Sequence, residues 1–189
     1  MQELKERILK EGVVIGDDIL KVDSFINHQI DTELLDKICN HLASKFSGVT
    51  KVLTIETSGI AYAIGVARYL GNVPVVFAKK SLSKTVDMRT VLTTSITSFT
   101  RNIDSIVTVD KRFLSEDDRV LIIDDFLAEG NAALGLIELC KEANALVVGV
   151  GIVIEKGFQG GRARIEELGV NVESCAIIDK FEDGKVVFK

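Results

Sequence analysis

The sequence predicts an α/β domain built on a largely parallel sheet of about five strands, with helices on both faces. Three observations carry this reading. Apolar, β-branched runs at 49–55, 72–78, 119–123, 145–154 and 170–179 alternate with segments of helical periodicity, the pattern of successive βα units. A chain of 189 residues is long enough to bury about 70% of its unfolded surface, so a core without covalent staples is expected. A single proline and the absence of Ser/Gly tracts leave no linker, and residues 1–189 are read as one domain.

Taken in order, Leu4, Ile8 and Leu9 recur at helical spacing over Met1–Glu11, and Gly12 ends that helix. Gly16-Asp17-Asp18 marks a turn, and residues 19–22 and 23–30 follow as two short extended or irregular pieces. Asp31-Thr32-Glu33 reads as a helix cap, after which Leu34, Leu35, Ile38, Leu42 and Phe46 line one face as far as Ser47-Gly48. Val49–Ile55 is the first strong strand, and Glu56-Thr57-Ser58-Gly59-Ile60-Ala61 turns it into a small-residue helix ending near Leu70. Asn72–Ala78 is the next strand, with Pro74 near its start, where a lost N–H is tolerated, and Lys79-Lys80 just past its end. Thr90–Thr97 and Ile103–Val109 alternate in the manner of a hairpin. Ala145–Ile154 is an unbroken apolar run, expected for a strand buried on both faces. Arg162 and Arg164 open a short helix to Leu168 and are read as facing solvent. Val170–Asp179 supplies a last sheet strand, and Phe181–Phe188 a terminal hairpin around Asp183-Gly184.

Composition excludes several classes. A net charge of −5 with 6% aromatic residues argues against a nucleic-acid surface. No apolar run approaches the roughly 20 residues of a membrane span and no charged-then-apolar leader opens the chain, so a cytoplasmic protein is expected. Cys39, Cys140 and Cys175, odd in number and far apart, read as reduced core residues. His28 and His41 have no partner motif and receive no role. Neither G-x-G-x-x-G nor G-x-x-x-x-G-K-[ST] is present, so dinucleotide and P-loop binding fall away.

The organising stretch is Arg119–Ala133. Its β-branched run ends in Asp124-Asp125, crosses a loop with one glycine, and enters an Ala/Leu-rich helix that continues to about Asn144. Ligands of parallel sheets bind at the carboxyl ends of strands, and the N–H groups opening the next helix attract anions. Two acids beside such a cradle suit a phosphorylated sugar, whose hydroxyls donate to the carboxylates. The same residues also fit a buried strand whose acids cap the following helix.

Val120–Ala133 resembles the signature loop of the type I phosphoribosyltransferases, and Asp-Asp-Phe-Leu-Ala-x-Gly-x-Ala-Ala is similar to the xanthine phosphoribosyltransferase branch of that family. The resemblance extends through the whole chain. One departure is clear: the family commonly carries Thr-Gly-Gly-Thr where this chain has Glu129-Gly130-Asn131-Ala132, so two hydroxyl donors to a 5′-phosphate are missing.

The resemblance implies a type I phosphoribosyltransferase fold with residues 1–30 forming a hood over a purine, and a mobile flap at Ser81–Arg89. It implies a pentosyl-transferring glycosyltransferase of purine salvage, which makes xanthosine monophosphate from xanthine and phosphoribosyl pyrophosphate (PRPP). Asp124 and Asp125 would be catalytic, holding the ribose hydroxyls and a developing cation. Leu20 would pack on the base, Asn27 would meet its edge, Lys156 would donate to the C6 carbonyl and Phe158 would stack on the ring. Ala128, Glu129, Gly130, Asn131 and Ala132 would cradle the 5′-phosphate, while Thr57, Ser58, Gly59, Lys79 and Lys80 would meet the pyrophosphate. Mg²⁺ is implied as the Mg–PRPP complex with no dedicated protein site, and a homodimer is expected. The alternatives are an adenine or guanine/hypoxanthine enzyme on the same frame, or a non-catalytic PRPP-sensing regulator.

Overall fold

Strands β7 (Arg119–Leu127) and β8 (Leu146–Lys156) lie at the centre of the sheet, because their side chains are apolar on both faces and have cover on both. The computed structural model describes residues 1–80, 88–98 and 103–189. Around the central pair the order is α1 (Gln2–Glu11), β1 (Val13–Ile15), β2 (Ile19–Lys21), α2 (Thr32–Ala43), β3 (Lys51–Ile55), α3 (Gly59–Tyr69), β4 (Val75–Ala78), β5 (Val91–Ser98) and β6 (Ile103–Asp110), all before β7. Helix α4 (Asn131–Glu142) joins β7 to β8, and α5 (Gly161–Glu166), β9 (Val172–Glu182) and β10 (Lys185–Phe188) complete the chain.

The main sheet has six strands in the order β10-β9-β8-β7-β3-β4. The strands from β9 to β4 pair in parallel, as the alternating pattern predicts, and β10 adds an antiparallel edge through the expected hairpin. The predicted β5–β6 hairpin also forms, from Val91 paired with Asp110 to Ser98 paired with Ile103. The flap expected at Ser81–Arg89 falls mostly outside the described residues, which resume with a 3-10 turn at Met88–Thr90.

Two clusters fill the faces. Leu121 and Ile123 of β7 join α2, α3 and the N-terminal segment, whereas Val120 and Ile122 join α4 and the β5–β6 hairpin. Each fully buried side chain of this kind contributes about 1.5–3 kcal/mol, enough to fix the face each residue takes. Helix α2 starts where the sequence places it, because Asp31 accepts the Glu33 and Leu34 N–H groups at 3.1 Å. Cys39, Cys140 and Cys175 are free and buried, and desolvation pushes each thiol up to about 12.

The N-terminal segment is more ordered than its sequence suggests. Residues 19–21 are not an isolated piece but pair with Val13–Ile15 as the β1–β2 hairpin, and Asp23–Asn27 forms one π-helical turn. Leu20, Val22, Phe25 and Ile26 are buried, and the Tyr62 hydroxyl of α3 donates to Ile26 O at 3.0 Å. The hood is therefore held to the body of the domain by apolar contact and by a hydrogen bond from α3.

Candidate active site

The acidic doublet does not terminate its strand. β7 continues to Leu127, which pairs with Glu155 of the long β8, so Asp124 and Asp125 sit within the ladder rather than at an open end. Each is only 7% exposed, a correction to the strand-end placement read from sequence. Their surroundings differ. Asp125 Oδ2 accepts from Asn27 Nδ2 at 3.3 Å, which joins it to the hood. Asp124 Oδ1 accepts the Asp125 N–H at 3.0 Å. Desolvation first, and then the neighbouring Asp125, raise the pKa of Asp124 well above the usual carboxylate range, with Lys80 opposing them. The pair therefore gains by attracting a hydroxyl donor or a cation.

The loop from β3 to α3 comes against Asp124. A Cβ on Gly59 would stand 3.0 Å from Asp124 Oδ1 and collide with Thr54 Oγ1, so only glycine permits this approach. Thr57 and Ser58 precede it, after a cis Glu56–Thr57 peptide. Glu56 Oε1 accepts the Lys80 N–H at 2.6 Å, while Lys79 exchanges backbone hydrogen bonds with Thr108 of β6 at 2.9 and 3.0 Å. These bonds hold the backbone of both lysines and leave their side chains exposed, with Lys80 near enough to Asp124 to oppose the rise in its pKa.

On the other side of the doublet, Ala128–Ala132 forms the turn into α4. Gly130 has φ +81°, a left-handed conformation that glycine adopts without strain, and it precedes the first helical residue. Gly130 has no side chain to cap the helix, and Ala128, Glu129, Asn131 and Ala132 are all partly open. Such a helix start suits an anion.

At the end of β8, Lys156 Nζ donates to Asp18 O in the hood hairpin at 2.5 Å, and burial lowers its pKa, with Asp18 opposing. Leu20 lies two residues beyond Asp18 on that hairpin and is 7% exposed. The hood thus joins the sheet at two points, Asn27 on Asp125 of β7 and Asp18 O on Lys156 of β8. Phe158 is placed differently: it is 40% exposed, and its ring packs edge-to-face on Phe181 with centroids 5.5 Å apart.

Residues 29–184 match the model of the phosphoribosyl transferase domain. The chain belongs to the phosphoribosyltransferase family. It is 54% identical over 191 residues to the xanthine phosphoribosyltransferase of Clostridium novyi, with all of both chains covered. It is also 54% identical to the protein of that name from Streptococcus agalactiae, covering all of this chain and 97% of the relative. Among solved structures, adenine phosphoribosyltransferase from Rhodothermus marinus superposes with a TM-score of 0.75 at 23% identity, covering 94% of this chain and all of the other, which shows the shared fold. The type I phosphoribosyltransferase architecture expected from sequence is therefore the one observed.

Three features of this phosphoribosyltransferase escape the sequence reading. Glu155, next to Lys156, is 2% exposed and takes a bidentate bond from Arg162 at 2.9 and 2.6 Å, with Ser174 Oγ donating as well at 2.5 Å. Arg162 is thus a buried-carboxylate partner, not the solvent-facing residue expected. Arg164 is exposed, as expected, and also reaches back to the 128–132 loop. Thr54 Oγ1 is fully buried beside Asp124 with no hydrogen-bond partner among the described residues. A carboxylate closing an apolar strand with Arg seven positions later was the one available signal for the first of these.

Among the described residues no cluster of three or more His, Cys, Asp or Glu side chains is arranged to hold a metal ion. No described helix is long and apolar enough to cross a membrane.

Proposed function

We propose that this chain transfers the 5-phosphoribosyl group of Mg–PRPP to N9 of xanthine, giving xanthosine 5′-monophosphate and pyrophosphate in purine salvage. The observation that carries this reading is that both residues suited to a purine edge join the hood to the sheet: Asn27 donates to Asp125, and Lys156 donates to Asp18 O. The full-length relatives named xanthine phosphoribosyltransferase support the same reading.

In the reaction the C1–oxygen bond to pyrophosphate breaks, the C1–N9 bond forms, and xanthine gives up one proton. Positive charge builds on the ribose ring, so catalysis is mainly alignment and electrostatics. Asp125, oriented by Asn27, and Asp124 accept the ribose hydroxyls and stabilise that charge. A bound cationic centre favours the ionised form of Asp124 that its apolar site disfavours in the free protein. The amides of 128–132 receive the 5′-phosphate. The 57–59 loop, with Lys79 and Lys80, receives the leaving pyrophosphate, whose oxygens bind Mg²⁺. Lys156 donates to the purine C6 carbonyl and Asn27 serves the remaining edge, while Leu20 closes the hood and Phe158 turns from Phe181 onto the base. Xanthine carries a carbonyl at C2 where guanine has an amine, and an amide enclosed against one base edge leaves a group unpaired with the other. The working unit is one domain of residues 1–189 in a cytoplasmic homodimer.

The test is incubation with PRPP, Mg²⁺ and each purine in turn, with identification of the nucleotide formed. Xanthosine monophosphate from xanthine at the highest kcat/KM is expected. Product from adenine alone, or PRPP binding with no product from any purine, overturns the assignment in favour of an adenine enzyme or a sensor.

A further inference from the structure

Helix α5 reaches the 128–132 loop. Its Arg164 donates through Nη1 to Glu129 O and, at 2.9 Å, to Asn131 Oδ1, the residues on either side of Gly130. The two backbones also meet there. A Cβ on Gly130 would stand 3.1 Å from Gly161 Cα, and one on Gly161 would lie 2.8 Å from the Gly130 nitrogen and collide with Ala128 O. We propose that Arg164 is a positioning residue for the 128–132 loop, holding it in the shape that receives the 5′-phosphate and so setting affinity for the sugar-phosphate end of the substrate. This rests on the reading of that loop as the phosphate cradle.

The carbonyl and N–H of one planar peptide point in opposite directions. Drawing Glu129 O toward α5 therefore turns the Gly130 N–H to the other side of the loop. Without that bond, a glycine-centred turn has several conformations of similar energy. The bond to Asn131 Oδ1 fixes the side chain of the residue that stands where the family commonly has its second glycine. Order that the hydroxyls would impose from the ligand side is here imposed from behind. Arg164 acts from a fixed base, because Arg162 two positions earlier is clamped to the buried Glu155 and to Val172 O at 2.7 Å. Both acceptors of Arg164 are uncharged and its side chain is exposed, so its removal alters the loop more than the stability of the whole chain.

The experiment compares wild type with Arg164→Ala and Arg164→Lys. PRPP is varied at saturating xanthine, with ribose 5-phosphate and inorganic pyrophosphate as competing probes of the two ends of the site. In Arg164→Ala, KM for PRPP and Ki for ribose 5-phosphate rise together by about tenfold, the loss of about 1.4 kcal/mol expected for a charge-assisted hydrogen bond. Ki for pyrophosphate and kcat stay within about twofold of wild type, and Lys, a single-point donor, restores part of the loss. An unchanged Ki for ribose 5-phosphate, or equal rises for both probes, overturns the proposal. Should Arg164→Ala melt below the assay temperature, Asn131→Ala removes one acceptor of the tether and is judged by the same two inhibition constants. A wild type that forms no nucleotide refutes the parent reading instead, and is seen before any variant is compared.

Discussion

Asn27 Nδ2 donates to Asp125 Oδ2 across 3.3 Å, although 98 residues separate them in the chain. On the proposed roles, the residue that meets the purine edge also orients one that holds the ribose, and recognition and activation would share one hydrogen bond. Replacing Asn27 by Ala is expected to raise KM for xanthine about tenfold and to lower kcat as well, because Asp125 loses its donor. Steady-state kinetics with xanthine varied decides this, and an effect on neither parameter would remove Asn27 from the site.

Asp125→Asn keeps the shape of the side chain and removes its charge. Turnover is expected to fall by about 100-fold or more, the scale of losing one preorganised electrostatic group, with a far-ultraviolet dichroism spectrum like that of wild type. Turnover within threefold of wild type would exclude Asp125 from stabilising the cation.

Asp124 gives a pH-dependent stability effect whose sign is fixed. Its pKa is raised in the folded protein by burial and by Asp125, so between the unfolded value near 3.8 and the raised folded value the native state binds the extra proton. Stability from this residue therefore falls as pH rises through that window. Asp124→Asn should melt about 2–4 °C above wild type at pH 7, a gain of about 1 kcal/mol for a chain of this length, and the gap should close as pH approaches 4. Calorimetric melts across pH check this, and a lower melting temperature at pH 7 would mean that Asp124 is held ionised.

Gly161→Ala inserts a methyl group into the contact with Ala128 O and the Gly130 nitrogen. The phosphate loop must move, so KM for PRPP is expected to rise at least about tenfold, while a backbone shift of this kind lowers stability by about 1–3 kcal/mol. Isothermal titration with PRPP and a urea melt measure the two effects separately. Unaltered PRPP affinity would show that the loop tolerates displacement.

Arg162→Met leaves the Glu155 carboxylate buried with Ser174 as its remaining side-chain donor. Breaking one side of such a pair costs about 3–5 kcal/mol, so the urea midpoint should fall clearly, and the double variant with Glu155→Gln should recover part of the loss.

What the sequence made legible was local. The βα alternation, the Asp31 cap, the Asp183-Gly184 turn and the doublet-plus-glycine loop are each encoded within a dozen residues, where periodicity and turn chemistry act directly. Long-range geometry was not legible. Glu155, Arg162 and Arg164 gain their roles only when α5 folds back on β8 and on the turn after β7, and apart from the seven-residue spacing of Glu155 and Arg162 no local pattern distinguishes a clamped arginine from a solvated one. The same holds for the length of β7: the doublet reads as a strand end because carboxylates leave apolar runs there, yet pairing with the eleven-residue β8 carries the ladder through it. The β1–β2 hairpin was missed because three-residue strands hold too few residues for alternation to register.

The hood leaves a ribosome well before its partners do. Asn27 waits 98 residues for Asp125, and Asp18 waits 138 for Lys156. At about 5–20 residues per second of translation, the nascent segment with Phe25 and Ile26 spends several seconds or more without the surface it packs against. Closure over the base pocket is therefore a late event in biogenesis, and a holdase that shields short apolar stretches near the tunnel exit would raise the yield of active enzyme more than one acting after release.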